Sequence, residues 1–411
     1  MAHGEVLEIE AAAGEYEQEG APGNPVSIVG MARRRNGRPV PKKIPPDLCK
    51  RPTAIPSGAP LLRRLWLRIT GDSHRLRTAV QVAFVLLCVW IGAEFYFFME
   101  WGTSRGAASF HERPPGVEGF LPISALISLK HWLMTGTINT VHPSGLFIFV
   151  AIVATGLLLK KAFCSWLCPI GTLSESLWML GEKIFGRTLN LPRWLDYPLR
   201  SLKYLLLAFF AWSVWQMDVP SLEAFIYSPY NKMADVKMYL FFANITQFAL
   251  WTIIALMVLS VAIKNFWCRF LCPYGALLGI LSWASPLKIT RSRETCIDCK
   301  LCTEACPARI LVHRATRVRS DECTSCMECV KACPVRDTLE LRATRTSAAV
   351  PAPVLAALVV GLFVAVTGMA MLTGHWQNAI SKEEYQRRFN EINSPLYQHN
   401  RGEVPAYGPG D

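Results

Sequence analysis

Five long apolar segments, separated by stretches rich in charge, dominate the chain. The last two contain the uncharged runs Phe242–Ile263 and Ser347–Gly374, which match or exceed the ~20 residues that a helix needs to cross the apolar core of a bilayer. The pattern predicts five membrane-spanning helices, at residues 78–99, 143–163, 200–217, 242–263 and 347–374.

Two apolar segments depart from this simple pattern. Segment 119–141 is interrupted by Lys130 and His131, and we expect it to form an interfacial or re-entrant helix instead of a sixth span. Segment 200–217 is short, so Lys203 near its end would have to extend its ammonium group to the membrane surface.

The first 60 residues have too little apolar sequence to build a core. They begin rich in Ala, Gly and Glu and continue as basic, Pro-rich sequence, which predicts a disordered cytoplasmic tail. No short apolar segment with a small-residue cleavage site lies near the N-terminus, so the first membrane helix is expected to act as the insertion signal.

The composition is that of a membrane protein, and the distribution of basic residues predicts its orientation. Hydrophobic residues make up 51% of the chain and charged residues 18%, with a mean hydropathy of +0.24, whereas soluble domains carry about 25% charged residues. The net charge of +12 accompanies no groove-reading or base-stacking motif, so nucleic acid is not expected as a partner. With the N-terminus in the cytoplasm, the inner segments hold 34 Lys and Arg and the outer segments hold 9, as the positive-inside rule requires.

The membrane region contains an internal repeat. Residues 160–173 align without gaps on residues 264–277, and both follow the pattern K-x-x-[FW]-C-x-[WF]-L-C-P-x-G-x-L. Each copy lies at the cytoplasmic end of a predicted span. The repeat predicts a duplicated two-helix unit, related by a pseudo-twofold axis along the membrane normal.

Twelve of the fourteen cysteines fall into four tight clusters, each with proline directly after its last cysteine, while Cys49 and Cys88 stand alone as ordinary thiols. Two clusters, beginning at Cys296 and Cys323, follow C-x2-C-x2-C-x3-C-P. This is the pattern of bacterial two-cluster ferredoxins, in which the fourth cysteine ligates the other cluster. One 4Fe-4S cluster is therefore assigned to Cys296, Cys299, Cys302 and Cys333. The second is assigned to Cys323, Cys326, Cys329 and Cys306.

A pair of zinc ribbons is the alternative interpretation of these eight cysteines. Zinc usually takes two C-x2-C knuckles, whereas each copy here has a third cysteine at the same spacing and ends in Cys-Pro. Because no Asp, Glu or His replaces a ligand, we expect both clusters to transfer electrons and not to bind substrate. The pattern predicts a small cytoplasmic α+β ferredoxin domain, where thiolates stay reduced.

The two remaining clusters form the repeat itself, with C-x3-C-P at Cys164/Cys168 and Cys268/Cys272. Residues four apart share one face of a helix, so each pair is expected to present both sulfurs on one side. Basic neighbours such as Lys161 are expected to lower the pKa of these thiols. The four cysteines are predicted to form a third redox centre or to dock the ferredoxin domain; four reduced packing thiols are the alternative.

Other candidate residues lie on the predicted outer side. His111, His131 and His142 could ligate haem or bind a quinol headgroup, but an interfacial histidine is more often a solvated cap. Glu94 is an ionisable residue near the outer end of the first span. The sequence has no C-x-x-C-H motif for covalent haem and no nucleotide-binding glycine motif.

The order of two membrane C-x3-C-P motifs and a double ferredoxin motif resembles the NapH/NosR-type membrane polyferredoxins over about residues 78–340. The resemblance implies an iron–sulfur electron carrier of the bacterial inner membrane, working between the quinol pool or a cytoplasmic donor and a respiratory or periplasmic partner. It implies a carrier subunit more than a free-standing enzyme. A redox-regulatory or metallocentre-assembly protein with the same clusters is the alternative function.

The sequence therefore predicts an α-helical multispanning membrane protein with a small two-cluster ferredoxin domain. The expected parts are a disordered tail (1–60), a transmembrane domain with both repeats (61–287), the ferredoxin domain (288–345), a fifth transmembrane helix (346–374) and a periplasmic tail (375–411).

Overall fold

The computed structural model describes residue 50 and residues 60–186, 188–189, 191–344, 346–398 and 404–408. The predicted disordered tail and Cys49 therefore lie almost wholly outside the described residues.

The described chain up to the second repeat is helical. Its elements are α1 (Leu61–Thr70), α2 (Ser73–Thr103), a 3-10 helix (Pro115–Phe120), α3 (Pro122–Thr135), α4 (Pro143–Leu158), α5 (Phe163–Trp166), α6 (Pro169–Phe185), α7 (Arg193–Trp215), α8 (Val219–Ile226), α9 (Pro229–Lys232), α10 (Ala234–Ala243), α11 (Gln247–Ala262) and a π-helix (Trp267–Leu271).

The remaining part holds the two strands that the structure describes. Its elements are α12 (Pro273–Leu281), β1 (Lys288–Arg291), α13 (Leu301–Glu304), a 3-10 helix (Val312–Arg314), α14 (Glu328–Ala332), β2 (Leu339–Arg342), α15 (Ala352–Leu372), α16 (Lys382–Glu391) and a 3-10 helix (Pro395–Tyr397).

Two helices, α2 and α15, are long and apolar enough to cross a membrane alone. Two further pairs of helices are long and apolar enough to span a membrane only when each pair is taken together. Both pairs are sharply bent, with 106° between α7 and α8 and 85° between α10 and α11. Helix α4 is apolar but has only 16 residues. The described chain is thus mostly helical with two to four candidate spans, where the sequence predicts five.

Side-chain caps explain the two sharp bends. Asp218 accepts a hydrogen bond from the backbone N–H of Ser221 and begins α8, and Thr246 accepts one from Ala249 and begins α11. Such caps satisfy N–H groups that a new helix leaves without partners. Each bend therefore ends one helix and starts another within a few residues.

Large apolar side chains face outward along the candidate spans. Leu86, Val89 and Trp90 on α2 are about two-thirds exposed, and Phe248 on α11 is 83% exposed. An apolar surface of this size is typical of a protein that contacts lipid. The position of these residues agrees with membrane insertion of α2 and α11.

The two strands close the ferredoxin segment. Antiparallel pairing places Lys288 opposite Arg342 and Arg291 opposite Leu339, so the segment begins and ends at the same two-stranded sheet. Between the strands lie only short helices and loops. This is the small α+β arrangement that the cysteine pattern predicts.

One apolar core joins the ferredoxin segment to the membrane helices. The core contains Trp166 of α5, Leu278 of α12, Leu341 of β2 and Leu355 of α15, none more than 1% exposed. Buried apolar area stabilises by about 25 cal/mol per Å². The ferredoxin segment is therefore packed against the membrane helices and is not a freely tethered unit.

The C-terminal segment folds back onto the end of α2. The rings of Tyr385 and Phe389 on α16 pack edge-on against Phe98, and Gly102 lies directly beneath the Phe389 ring. The sequence predicts only a tail here. Helix α16 owes its position to long-range aromatic contacts that local pattern does not show.

Lys203 does not extend to the membrane surface as predicted. Its side chain is fully buried and its ammonium group pairs with the carboxylate of Glu322 in the ferredoxin segment. The partner lies 119 residues away in sequence, so the pairing could not be found from the span itself. Lys130 is half-buried, and its ammonium group donates to the carbonyl oxygens of Val214 and Trp215 at the end of α7.

Candidate iron–sulfur sites

The eight ferredoxin cysteines line two separate cavities. The first cavity is lined by Cys296, Cys299, Cys302 and Cys333. The second is lined by Cys306, Cys323, Cys326 and Cys329. The structure thus groups three cysteines from one motif with the last cysteine of the other motif, in both cases. No disulfide joins the described cysteines.

The two cysteine loops have the same backbone conformation. Asp298 and Ser325 lie between the first and second cysteines of their motifs and have φ of 53° and 52°. Lys300 and Met327 follow the second cysteines and have φ of 63° and 62°. A residue other than glycine rarely adopts this left-handed region. Loops that alternate such residues form concave rows of N–H groups, a feature of many Fe–S sites.

The chemistry of the donor sets fits an iron–sulfur cluster. Burial raises the pKa of Cys302 and Cys306 to about 11 and that of Cys326 to about 12. These thiols stay neutral unless a bound metal supplies positive charge, so loading is expected to release protons. A cluster of four irons, with thiolate ligands only, would supply that charge.

A single metal ion fits the described side chains less well. The part of the chain that the structure describes contains no group of three or more His, Cys, Asp or Glu that could hold one ion. A tetrahedral zinc ion, with Zn–S distances of about 2.3 Å, needs its four sulfurs close together. Four cysteines that line one cavity are the ligand number of a 4Fe-4S cluster.

The C-x3-C-P motifs do not form continuous helices, so the prediction of one shared helix face is wrong. Cys164 lies in the single turn of α5, and Cys168 begins α6 with Pro169 in its first turn. The reason is that proline lacks an N–H and starts a new helix more readily than it continues one. In the second repeat, Cys268 lies in the π-helix, a type frequent at functional sites.

Both repeats build the same turn around the second cysteine. The N–H of Gly171 donates to Cys168 Sγ at 3.4 Å, and the N–H of Gly275 donates to Cys272 Sγ at 3.3 Å. A Cβ at Gly171 would lie 2.2 Å from the carbonyl oxygen of Cys164. Glycine is therefore required at this point for a close approach of two backbone segments.

All four repeat cysteines line one cavity of about 450 Å³. Cys326 of the ferredoxin segment lines the same cavity and also the second ferredoxin cavity. The wall includes Lys161, Glu322 and Tyr274. The structure thus brings the four repeat cysteines around a common space and places a ferredoxin cysteine at its edge.

Basic neighbours do not lower the thiol pKa values here, so that expectation is wrong. Lys161 does favour the thiolate of Cys164, but burial outweighs it and raises the pKa of Cys164 to about 11. The pKa of Cys168 rises to about 12 for the same reason. Desolvation disfavours a charged sulfur more than one nearby ammonium group stabilises it.

Residues between the first pair of repeat cysteines hold the ferredoxin loop. Ser165 Oγ donates to the carbonyl oxygen of Thr324 at 2.7 Å, and Trp166 Nε1 donates to that of Ser325 at 3.2 Å. Ser165 and Trp166 are both buried. The motif therefore contacts the loop that carries Cys323 and Cys326.

Buried ion pairs at the same junction were not foreseen from the sequence. Arg77, 1% exposed, donates through Nη2 to Glu175 at 2.7 Å and to Glu328 at 3.0 Å. Glu322 also lies 3.9 Å from Lys161 Nζ. Breaking a buried pair costs about 3–5 kcal/mol. The sequence does show a basic residue, Arg77, directly before the first predicted span. It does not show the acidic partners of Arg77, which are more than 90 residues away.

The other sequence candidates lie apart from the cysteines. His142 is buried, and its Nε2 lies 2.7 Å from the carbonyl oxygen of Asn231. His131 is buried as well, so the solvated-cap interpretation is wrong for both. His111 stacks on Phe97, His131 Nε2 lies 3.6 Å from Glu223, and Glu94 accepts a hydrogen bond from Trp90.

His142 belongs to a buried polar group beside the C-terminal segment. Arg113 donates to Glu118 at 2.8 Å and also pairs with Asp235, and Gly145 N–H donates to Glu118 at 2.8 Å. Arg113 holds the pKa of Glu118 down to about 2 despite its burial. The ring of His142 is thus surrounded by protein contacts.

Families of iron–sulfur proteins match the cysteine-bearing parts of the chain. A family described as a 4Fe-4S binding domain matches residues 141–188 and again residues 245–292, so each match contains one C-x3-C-P motif. A family described as a 4Fe-4S dicluster domain matches residues 288–334. The same description thus covers both membrane repeats.

Curated relatives extend the similarity over most of the chain. The protein named "Putative electron transport protein YccM" of Escherichia coli K12 is 43% identical over 328 residues, covering 79% of this chain and 91% of that protein. The regulatory protein NosR of Pseudomonas aeruginosa is 30% identical over 43% of this chain but only 24% of its own length. The methylamine utilization ferredoxin-type protein MauN of Methylorubrum extorquens is 28% identical over 46% of this chain and 61% of its own length. No solved structure matches.

The two repeat glycines give a graded test of this geometry. In Gly171→Ala the added Cβ meets the Cys164 carbonyl, which cannot move without shifting α5, whereas in Gly275→Ala the nearest carbonyl is 3.0 Å away. We expect Gly171→Ala to lose roughly 1–3 kcal/mol of stability and Gly275→Ala to lose less. Thermal unfolding and the maleimide labelling rate of Cys164 and Cys168 measure both effects.

Gly92→Ala is the matched control, because nothing lies within 4 Å of the added Cβ on α2. It should label like the unchanged chain and should unfold at the same or a slightly higher temperature, because alanine is a better helix former than glycine. Equal behaviour of Gly171→Ala and Gly92→Ala would contradict the close approach at the first repeat.

Proposed function

The chain belongs to the NapH/NosR-type ferredoxin-containing membrane proteins, and from this premise we propose that its twelve clustered cysteines form one electron relay in the inner membrane. Two of its relatives are named as a putative electron transport protein and a ferredoxin-type protein, and the families that match are 4Fe-4S binding domains, which supports iron–sulfur electron transfer. The observation that carries the proposal is the position of Cys326, which lines both a ferredoxin cavity and the cavity of the repeat cysteines.

The ferredoxin cysteines are proposed to hold two 4Fe-4S clusters. The first ligand set is Cys296, Cys299, Cys302 and Cys333. The second ligand set is Cys306, Cys323, Cys326 and Cys329. The crossed grouping of cysteines around the two cavities and the repeated loop conformation support these sets.

The repeat cysteines Cys164, Cys168, Cys268 and Cys272 are proposed to hold a third iron–sulfur centre. Their common cavity and the match of both repeats to a 4Fe-4S binding domain support this ligand set. The docking contacts of Ser165 and Trp166 are compatible with it, because the same turn can hold a centre and fix the neighbouring loop. Docking and ligation are then two roles of one motif.

The relay is proposed to work between a quinol or a cytoplasmic donor and a respiratory or periplasmic acceptor. When bound, a 4Fe-4S cluster accepts and returns single electrons. The chain supplies thiolates, excludes water and fixes the separation between the sites. A redox-regulatory or assembly role would use the same cysteines but would not need a continuous path between three sites, and the shared wall at Cys326 favours the carrier.

The membrane arrangement is proposed to have five spans, with a duplicated two-helix unit and the ferredoxin domain of residues 288–345 in the cytoplasm. The charge split between the predicted inner and outer segments supports this orientation. Residues 61–287 and 346–374 would form the membrane part, and residues 375–411 would lie in the periplasm. The bent pairs α7–α8 and α10–α11 would each provide one span.

Iron content tests the three ligand sets. Protein purified without oxygen should contain about twelve iron and twelve sulfide per chain. Cys302→Ser, Cys329→Ser and the double variant Cys164→Ser/Cys268→Ser should each lose about four iron. Cys88 lies on α2 outside all three cavities, so the control variant Cys88→Ser should lose no iron.

Zinc without acid-labile sulfide would refute all three clusters. The third centre would be refuted if the chain contained only about eight iron and the Cys164→Ser/Cys268→Ser variant had the same iron content and the full rate of electron transfer. The repeat cysteines would then be packing residues.

Reporter fusions test the proposed topology. Alkaline phosphatase is active only outside the cytoplasm, so a fusion after Asp411 should be active and a fusion after Thr344 should be inactive. Arg342 and Arg345 directly precede the uncharged run that contains α15, and basic residues beside a span favour the cytoplasmic side. Activity of a cytoplasmic reporter after Asp411 would contradict the five-span arrangement.

A further inference from the structure

A strongly basic pocket lies where the membrane helices meet the ferredoxin sheet. It has a volume of about 510 Å³, within the range of small-ligand sites. Its described wall contains three cations and no acidic side chain. The wall consists of Trp283, Ser285, Pro286, Lys288, Arg317, Arg319 and Ala343.

Lys288 is built into the floor of this pocket. Lys288 is only 6% exposed. Its ammonium group donates to the carbonyl oxygens of Ser282 at 2.6 Å and Trp283 at 3.1 Å. An ammonium group has three donors, so one remains after these two bonds. Burying a charged group without a counter-charge is costly.

Arg317 shows the same incomplete pairing. Its Nη2 donates to the carbonyl oxygens of Pro286 at 2.9 Å and Ala343 at 2.5 Å. Its Nε is buried and has no hydrogen-bond partner. Carbonyl oxygens satisfy donors but do not neutralise charge, so the pocket keeps a net positive charge.

The electrostatic effect is visible on Lys288. Burial, together with repulsion by Lys160, Arg317 and Arg319, lowers the pKa of Lys288 to about 8. An anion in the pocket would offset this repulsion and supply acceptors for the remaining donors. The donors left over on Lys288 and Arg317 and the absence of an acidic side chain from the described wall fit an oxyanion as the partner.

The position of the pocket identifies the kind of oxyanion. Ser285 joins the pocket to the end of the apolar helix α4, because its Oγ donates to the carbonyl oxygen of Leu158 at 3.0 Å and accepts from the N–H of Lys160 at 2.8 Å. Trp283, directly after the apolar helix α12, is 64% exposed. Exposed tryptophan beside cations at the ends of apolar helices is typical of the membrane interface.

We infer that this pocket binds the phosphate of an anionic phospholipid headgroup. Basic pockets between membrane helices bind such headgroups in other proteins. The lipid would neutralise Lys288 and Arg317 at the joint between α12 and β1. It would thereby stabilise the position of the ferredoxin segment at the membrane surface.

The test is lipid retention by the intact chain in native mass spectrometry, after incubation with phosphatidylglycerol or with zwitterionic phosphatidylcholine. We expect preferential retention of phosphatidylglycerol. Arg319→Gln should weaken it about fivefold, the effect of one cation near a lipid surface, and Arg319→Lys should restore it. Arg319 is exposed, so these changes should not lower the thermal unfolding temperature without lipid.

Arg314→Gln is the matched control, because it removes an exposed charge from the same segment outside the pocket. It should retain phosphatidylglycerol fully. Equal retention of both lipids, equal loss in Arg314→Gln and Arg319→Gln, or displacement of the lipid by millimolar inorganic phosphate would each overturn the proposal. If Arg319→Gln retained the lipid fully but no longer bound an acidic electron-donor protein, the pocket would be a protein-docking site instead.

Discussion

The architecture depends on one constraint: the loop that carries Cys323 and Cys326 must stay fixed against the first C-x3-C-P turn. Hydrogen bonds from Ser165 and Trp166 set this contact, and the buried carboxylate of Glu322 pairs with Lys203. Electron transfer between neighbouring sites requires a stable separation, and a loosely tethered ferredoxin would not provide one. The shared apolar core makes the membrane part and the ferredoxin segment one packed unit.

The two repeats use one turn for different purposes. In the first, Trp166 and Ser165 bind the ferredoxin loop, whereas the equivalent positions in the second are Phe270 and Arg269, and Arg269 pairs with Asp196 of α7 at 2.8 Å. Both retain the glycine whose N–H meets a cysteine sulfur. The turn around the sulfur is thus repeated, while the contacts outside it differ, so only the first repeat carries the docking hydrogen bonds described above.

Sequence reasoning found the parts of the molecule that depend on local spacing. The ferredoxin motifs beginning at Cys296 and Cys323 fix short loops by themselves, and the apolar run before Gly374 is long enough to form α15 unaided. The bend at Asp218 and the burial of Lys203 depend on caps and on Glu322, far away in sequence. Proline after Cys168 was a local signal for a break in the helix, and it outweighed the four-residue spacing of the cysteines.

The most direct test of the carrier function is its turnover. Full-length protein in detergent can be reduced with a short-chain quinol analogue or with reduced ferredoxin and then reoxidised, while the cluster absorbance is followed by stopped flow over many cycles. An electron relay should be reduced and reoxidised rapidly and repeatedly without loss of clusters. A single slow reduction with no further turnover would contradict the relay and indicate a sensor or an assembly protein.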